Sequence, residues 1–342
     1  MKTFLTIYLI CTSYLFCPFK ACAQNVFNIM MYNCENAFDT KHDQGKNDEE
    51  YLGGSPRFWN RTRYFAKLRS IGKVITSVDS IRPVDIVGLC EVENDSVLHD
   101  LLNRTPLKYI GYEYVMTNSF DERGIDVALL YMPYSFHLIS HTSLRAQTVS
   151  ATRDILYVSG KVYGRDTLDV FVVHLPSKLG GRKAVSDREC VASFLKEHVD
   201  SVISLRTNPN VLVMGDFNSG PDSSPLVEIL KAETAENISD PVSENLYNLH
   251  ASRPQGSYKY NGEWDTIDQI LVNGNLLDAD NYMSTSYSAS GIAVRPFLLE
   301  DDIAFGGQKP RRTYFGMKYL GGFSDHLPVY ARFLIRGGKA HR

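Results

Sequence analysis

The stretch "NVLVMGDFNSGP", Asn210 to Pro221, decides how this chain is read. Val211 to Met214 are apolar without a break, and a strand that is apolar on both faces needs cover on both. The run then passes at Gly215 into Asp216, Asn218, Gly220 and Pro221, residue types that favour turns. A doubly covered strand ending in a carboxylate and an amide points to an α/β sheet whose reactive groups sit at strand ends.

Outward from this stretch the same pattern recurs. Residues 26–33, 85–90, 112–117, 125–131, 155–163, 168–174, 266–272 and 327–335 are rich in Val, Ile, Leu and aromatics and are expected as strands. Between them, Phe58, Phe65, Leu68, Ile71, Ile75 and Val78 recur at helical spacing, as do Val185, Val191, Phe194, Leu195, Val199 and Val202. The sum predicts one mixed α/β domain over 24–342, with sheet inside and helices outside. Residues 39–57 are polar and read as a loop. Residues 284–324 separate the last two strands by far more than an ordinary connection, and such excursions are more often functional than accidental. Gly321 and Gly322 are expected to be the hinge by which that excursion returns.

With 342 residues, 44% hydrophobic and 22% charged, the chain can bury a large core. Its first segment differs: Lys2, the apolar run "FLTIYLICTSYLFC" and the small-residue exit Ala21-Cys22-Ala23 read as a signal peptide, 1–23, cleaved after Ala23. Lipoprotein anchoring at Cys22 is the alternative. The expectation is an exported protein, periplasmic or secreted, monomeric, with no transmembrane segment. Cleavage would remove Lys2 and Lys20 from 36 basic residues and none of the 39 acids, leaving 34 − 39 = −5. So mild an acidity argues against a cationic nucleic-acid-coating protein, though not against an enzyme that holds phosphates locally. The three remaining cysteines, Cys34, Cys90 and Cys190, are too few and too scattered for a disulfide framework.

The reactive residues fall mostly at strand ends. Asn33 and Glu35 close the first strand, Glu91 the second, His174 ends "LDVFVVH", Asp216 and Asn218 end the opening stretch, and Asp325 with His326 precede the last strand. Singly, each except the Asp216/Asn218 pair is better read as a turn or strand-end residue. Together they make an oxygen-rich set suited to a hard cation such as Mg²⁺, with histidines left for proton or phosphate work. No H-E-x-x-H, cysteine cluster or phosphate-loop motif appears, which argues against zinc and nucleotide engines of those types.

In order along the chain, "YNCENAFD", "GLCEVEN", "RGIDVALLY", "VVHLPSKLGG", "VMGDFNSGP", "TIDQILV" and "SDHLPV" resemble the endonuclease/exonuclease/phosphatase superfamily, the deoxyribonuclease I-like group. The resemblance implies a four-layered α/β sandwich, two packed mixed β-sheets flanked by helices, with a divalent-metal site at one edge. It implies Glu91 as principal Mg²⁺ ligand, with Mn²⁺ or Ca²⁺ as alternatives, and Asn33, Glu35 and Asp325 near the metal or its waters. His326 then resembles the catalytic histidine oriented by Asp268. His174 resembles a donor to the scissile phosphate, and Asp216 with Asn218 the pair that positions water and a phosphate oxygen. Cys90 stands where the family often has Gln, and Asp126 where many relatives are apolar, so Asp126 is weighed equally as a further site acid and an ordinary strand-start carboxylate.

The "GDFN" and "TIDQ" contexts sit nearer the nuclease branches than the inositol phosphatases, so the expected activity is nucleic-acid phosphodiester hydrolysis. A phospholipid or sugar-phosphate phosphodiesterase or phosphatase is the alternative. Lys178 and Arg182, with Lys183, and Arg311 and Arg312, with Lys309, are the candidate phosphate holders.

Overall fold

A computed structural model describes residues 25–148, 150–177 and 181–336. The expected signal segment and Lys178 lie outside them. The described residues begin with β1 (Asn25–Ala37), β2 (Ile86–Val92), β3 (Glu113–Met116) and β4 (Asp126–Tyr131). Next come β5 (Phe136–Leu144), β6 (Ile155–Val162), β7 (Thr167–His174), β8 (Val211–Asp216), β9 (Glu233–Thr234) and β10 (Leu246–Asn248). A hairpin of β11 (Tyr258–Tyr260) and β12 (Glu263–Asp265) precedes β13 (Asp268–Asn273). The short strands β14 (Met283–Ser284) and β15 (Ser290–Ile292) follow. Two hairpins, β16 (Leu299–Asp301) with β17 (Gln308–Pro310) and β18 (Tyr314–Phe315) with β19 (Lys318–Tyr319), lead to β20 (Val329–Ile335).

Two sheets of seven strands result. One runs β14-β20-β1-β2-β4-β3, with β15 also on β20; the other runs β5-β6-β7-β8-β13-β10-β9. Period-two alternation sorts their side chains. Ile29 and Met31 of β1 pack with Leu212 and Met214 of β8 in the core between the sheets. Their neighbours Met30 and Tyr32 face the other way, onto Leu68, Ile71 and Leu98 of helices α1 (Arg61–Ser77) and α2 (Asp95–Asn103). On the far side, Val211 and Val213 pack against Leu195 and Val199 of α3 (Gly181–Leu205). The order of layers is helix, sheet, sheet, helix, the expected sandwich. Each fully buried Leu, Ile or Val adds about 1.5–3 kcal/mol of transfer free energy. The sheets approach so closely that a Cβ on Gly88 would lie 2.8 Å from Met214 Cε.

Both α1 and α2 start where the sequence provides a cap. Asn60 Oδ1 accepts from the backbone N–H groups of Thr62 and Arg63, and Asn94 Oδ1 accepts from that of Val97.

The connectivity sets the position of the strand ends. β1 and β2 pair in parallel through α1, and β7 and β8 pair in parallel through α3, so each pair ends at one edge of its sheet. β20 is antiparallel to β1 and β13 is antiparallel to β8, so both begin at those edges. Residues on five strands, and those just before β20, thereby meet at one shared edge.

The excursion is built rather than loose. Its β15 adds to β20, and Phe323 N–H donates to Arg311 O at 2.6 Å. A Cβ on Gly322 would lie 2.2 Å from Arg311 O and 2.3 Å from Arg312 O. The hinge expected at Gly321 and Gly322 is therefore corrected at Gly322: that position is glycine because two carbonyls pack against it.

Candidate active site

Backbone irregularities near the ends of β1 and β2 re-aim the site residues there. The β2 to β4 register shifts between Cys90 and Val92, and the β1 to β2 register shifts between Asn33 and Ala37. Such bulges re-aim side chains. At these points Glu35, Asn36 and Glu91 take φ of 49°, 58° and 62°, and Asn218, beyond β8, takes 48°. Left-handed backbone at non-glycine residues costs on the order of 1 kcal/mol each, and it clusters at functional sites.

Asn33 joins the two sheets. Its Nδ2 donates to Asp216 Oδ2 at 2.9 Å and lies 3.4 Å from Glu91 Oε1, while its Oδ1 accepts from Glu35 N–H at 2.9 Å. Glu91 Oε2 accepts from Asn36 N–H at 2.9 Å. The Glu91 side chain stays 14% exposed, so a carboxylate held by the backbone opens onto the mouth of the site.

Asp216 stands between two histidines. Its Oδ2 is 3.6 Å from His174 Nε2 and 4.0 Å from His326 Nε2, and its Oδ1 accepts from Asn218 N–H at 2.8 Å. Asn218 Nδ2 donates to Leu175 O, which fixes the direction of its amide. On the other side of His326, Nδ1 lies 2.7 Å from Asp268 Oδ2, and Ser257 Oγ donates to that same oxygen at 2.7 Å. Ser324 Oγ accepts from His326 N–H and donates to Asn33 O, tying the start of β20 to β1. The Tyr258 ring packs on the His326 imidazole, with centroids 4.9 Å apart.

Burial and charge push these groups in different directions. Burial lowers the pKa of His326, but Asp268, Asp325 and Asp216 together outweigh it and hold the imidazole well above its ordinary value. His174 goes well below its ordinary value through burial, helped by the charges of Arg153, Arg123 and His326. Asp216 is pushed up to about 7 by burial and then by Asp268, with His326 opposing. The site thus holds one charged histidine, one neutral histidine and a carboxyl that titrates near neutrality.

Glu35 lies slightly deeper. Its two oxygens accept from the backbone N–H groups of Thr313 and Tyr314, and Arg312 Nε lies 3.4 Å from Oε1. Arg312 Nη2 donates to Asp325 Oδ2 at 2.9 Å, and Asp325 Oδ1 is 3.9 Å from His326 Nε2. Of the residues singled out in the sequence, this network joins Asn33, Glu35, Glu91, His174, Asp216, Asn218, Asp268, Arg312, Asp325 and His326.

It does not include the others. Asp126 is buried, and its Oδ1 accepts from Thr117 Oγ1, Ser119 N–H and Ser119 Oγ, so the strand-start role prevails over that of a further site acid. Arg182 is exposed in the first turn of α3, and Arg311 is exposed beside Arg312. Cys90 lies between the sheets, its thiol donating to Val173 O. Lys67, Ser257, Tyr258 and Arg153 were not singled out in the sequence. Arg153 bridges Asp121 and Leu175 O beneath His174. A signal existed for Lys67, a lone cation on the apolar stripe of α1 between Tyr64, Leu68 and Ile71.

Among the described residues, Asp216, Asp268 and His326 form a group whose potential ligand atoms all lie within 4.8 Å of one another and could hold a metal ion. His326 Nδ1 is engaged by Asp268 at 2.7 Å, whereas Asp216 Oδ2, 4.0 Å from Nε2, stands beyond hydrogen-bond distance on the other side of the ring. The expected ligands Glu91, Glu35 and Asp325 do not form such a group among the described residues, and both Glu35 oxygens already accept from backbone N–H groups, so of that set Glu91, Asn33 and Asp325 keep oxygen atoms for a hard cation.

A helix-flanked pair of sheets with a carboxylate-backed histidine, a second histidine and a carboxylate at one shared edge defines a hydrolase of the α/β-sandwich class. The family described as endonuclease/exonuclease/phosphatase matches residues 28–334, and the chain belongs to it. No curated protein matches the chain in sequence. Among solved structures, truncated TDP2 of Caenorhabditis elegans is 16% identical, covering 90% of this chain and 97% of that one with a TM-score of 0.54. Humanized TDP2 of D. rerio is 14% identical, covering 90% and 98% with a TM-score of 0.55. An endonuclease/exonuclease/phosphatase of Bacteroides vulgatus is 13% identical, covering 92% and 100% with a TM-score of 0.54. At these identities the likeness bears on the fold.

Proposed function

We propose that the protein is an exported, Mg²⁺-dependent phosphodiesterase that hydrolyses nucleic-acid phosphodiester bonds. The observation that carries this reading is the convergence on one strand edge of the Asp268-backed His326, the neutral His174 and Asp216 between them. Family membership supports the hydrolytic part of this reading, and the apolar segment at 1–23 supports export.

In this reading Glu91 is the principal holder of the cation, with Asn33 and Asp325 beside it and Glu35 behind. When bound, Mg²⁺ supplies positive charge against the negative charge that develops on the phosphoryl and leaving oxygens. His174, kept neutral, donates from Nε2 to a phosphoryl oxygen. Asp216 and Asn218 orient the attacking water. Its proton passes to the coupled Asp216 and His326 pair, whose shared titration makes a single-residue base the wrong description. Asp268 fixes the imidazole throughout. Arg312, 34% exposed and paired with Asp325, is placed to hold substrate phosphate with its remaining N–H groups.

The test is turnover of plasmid DNA, RNA, sphingomyelin and inositol phosphates with Mg²⁺ and with chelator. Cleavage of lipid or sugar phosphates without cleavage of nucleic acid would transfer the site to the alternative substrate class.

A further inference from the structure

Lys67 is 2% exposed and projects from α1, on the outside of the sandwich, to the underside of the site. A buried ammonium persists only where hydrogen bonds and an opposite charge replace water. Here Nζ donates to Thr313 Oγ1 at 2.5 Å and to Phe323 O at 2.7 Å, and Glu35 Oε2 lies 3.9 Å away. Thr313 and Phe323 are the two ends of the segment that contains the β18 and β19 hairpin. Arg312 and Asp325, which pair with each other, flank those ends. Thr313 N–H in turn donates to Glu35 Oε2 at 2.5 Å. One ammonium therefore fastens both ends of the segment to each other and to the carboxylate behind the proposed cation site.

We propose that Lys67 is a positioning residue for that site: it sets Glu35, Arg312 and Asp325 in one geometry without touching substrate. The proposal rests on the reading of Glu91, Asn33 and Asp325 as the cation holders. A side chain that orients ligands from behind typically changes metal affinity or activity by about 10–100-fold when removed. A lysine serving only as helix packing would leave cation binding unchanged, because Met at the same position fills most of the same space.

The test uses Lys67→Met and Thr313→Val, which remove the ammonium and one of its partners separately. Mn²⁺ binding followed by electron paramagnetic resonance, circular dichroism, and kcat with KM are measured for both and for the wild-type protein. The expected result is a folded Lys67→Met protein whose Mn²⁺ dissociation constant rises at least about tenfold, with kcat falling more than KM changes. Thr313→Val should move both in the same direction by less. Should Lys67→Met fail to fold, Thr313→Val decides alone by the same readouts. Unchanged Mn²⁺ binding and kcat in a folded variant overturns the proposal while leaving the site assignment intact. Failure of the wild-type protein to bind Mn²⁺ overturns the site assignment itself, and this proposal with it.

Discussion

Asp268 Oδ2 lies 2.7 Å from His326 Nδ1, and a serine hydroxyl, Ser257 Oγ, holds the same oxygen at 2.7 Å. The carboxylate is thereby fixed before it fixes the imidazole. Asp268→Asn keeps the shape but removes the charge that keeps His326 protonated and aimed. Turnover is expected to fall by about 10²–10⁴-fold, the usual range for loss of a positioned acid or base, with the circular dichroism spectrum retained. A loss below tenfold would remove Asp268 and His326 from the mechanism.

Asp216, pushed up to about 7, supplies the pH prediction. If its carboxylate orients the water, activity should fall as pH drops through about 7, with the apparent value belonging to the Asp216 and His326 pair. Asn33 donates to Asp216 and lowers its pKa, so Asn33→Ala should move this acid limb to higher pH. The sign for stability follows from proton uptake. Between an unfolded value of about 3.9 and the raised folded value, the folded state binds the extra proton, so Asp216 favours folding more as pH falls. Unfolding of wild type and Asp216→Asn, measured without divalent cation, should therefore converge or cross in favour of wild type as pH is lowered from 7 to 5. A pH-independent difference would contradict the shift.

Gly322→Ala places a methyl group against two carbonyl oxygens that would lie 2.2 and 2.3 Å from it. The expected outcome is a loss of about 1–3 kcal/mol in denaturant unfolding, the range for overpacking. Weaker substrate binding should accompany it, because Arg312 O is one of the two atoms displaced. A stable protein with altered affinity alone would restore the hinge reading.

Met214→Ala empties a contact between the sheets against Gly88, far from solvent. It should destabilise by about 2–5 kcal/mol in urea unfolding. Because Met214 precedes Gly215 and Asp216 on β8, kcat should fall only modestly at temperatures where the variant stays folded. A stability change under 1 kcal/mol would contradict the close packing of the two sheets.

The sandwich was legible because its central strands are apolar on both faces. The strands expected at 26–33, 85–90 and 210–215 appear as β1, β2 and β8, each within a few residues. The elements not anticipated have physical reasons for silence. β5 is an edge strand, mostly exposed, so "FHLISHTSL" lacks the apolar run. α2 is nine residues long, although Asn94 as cap and Val97, Leu98, Leu101 and Leu102 at helical spacing carried its signal. Strand-end polarity marked Glu91, His174, Asp216 and His326. Lys67 and Ser257 act through contacts 246 and 11 residues away in the chain, a pairing that local pattern does not encode. Asp126 shows the reverse: its position suggested chemistry, and its three neighbouring donors gave it a structural task.

The most direct test of the central claim is plasmid nicking by wild type and His326→Ala, each with Mg²⁺ and with excess chelator. The expected result is nicking by wild type in Mg²⁺, none above background in chelator, and a rate at least about 10²-fold lower for His326→Ala. Nicking that persists in chelator, or in His326→Ala at the wild-type rate, would contradict it.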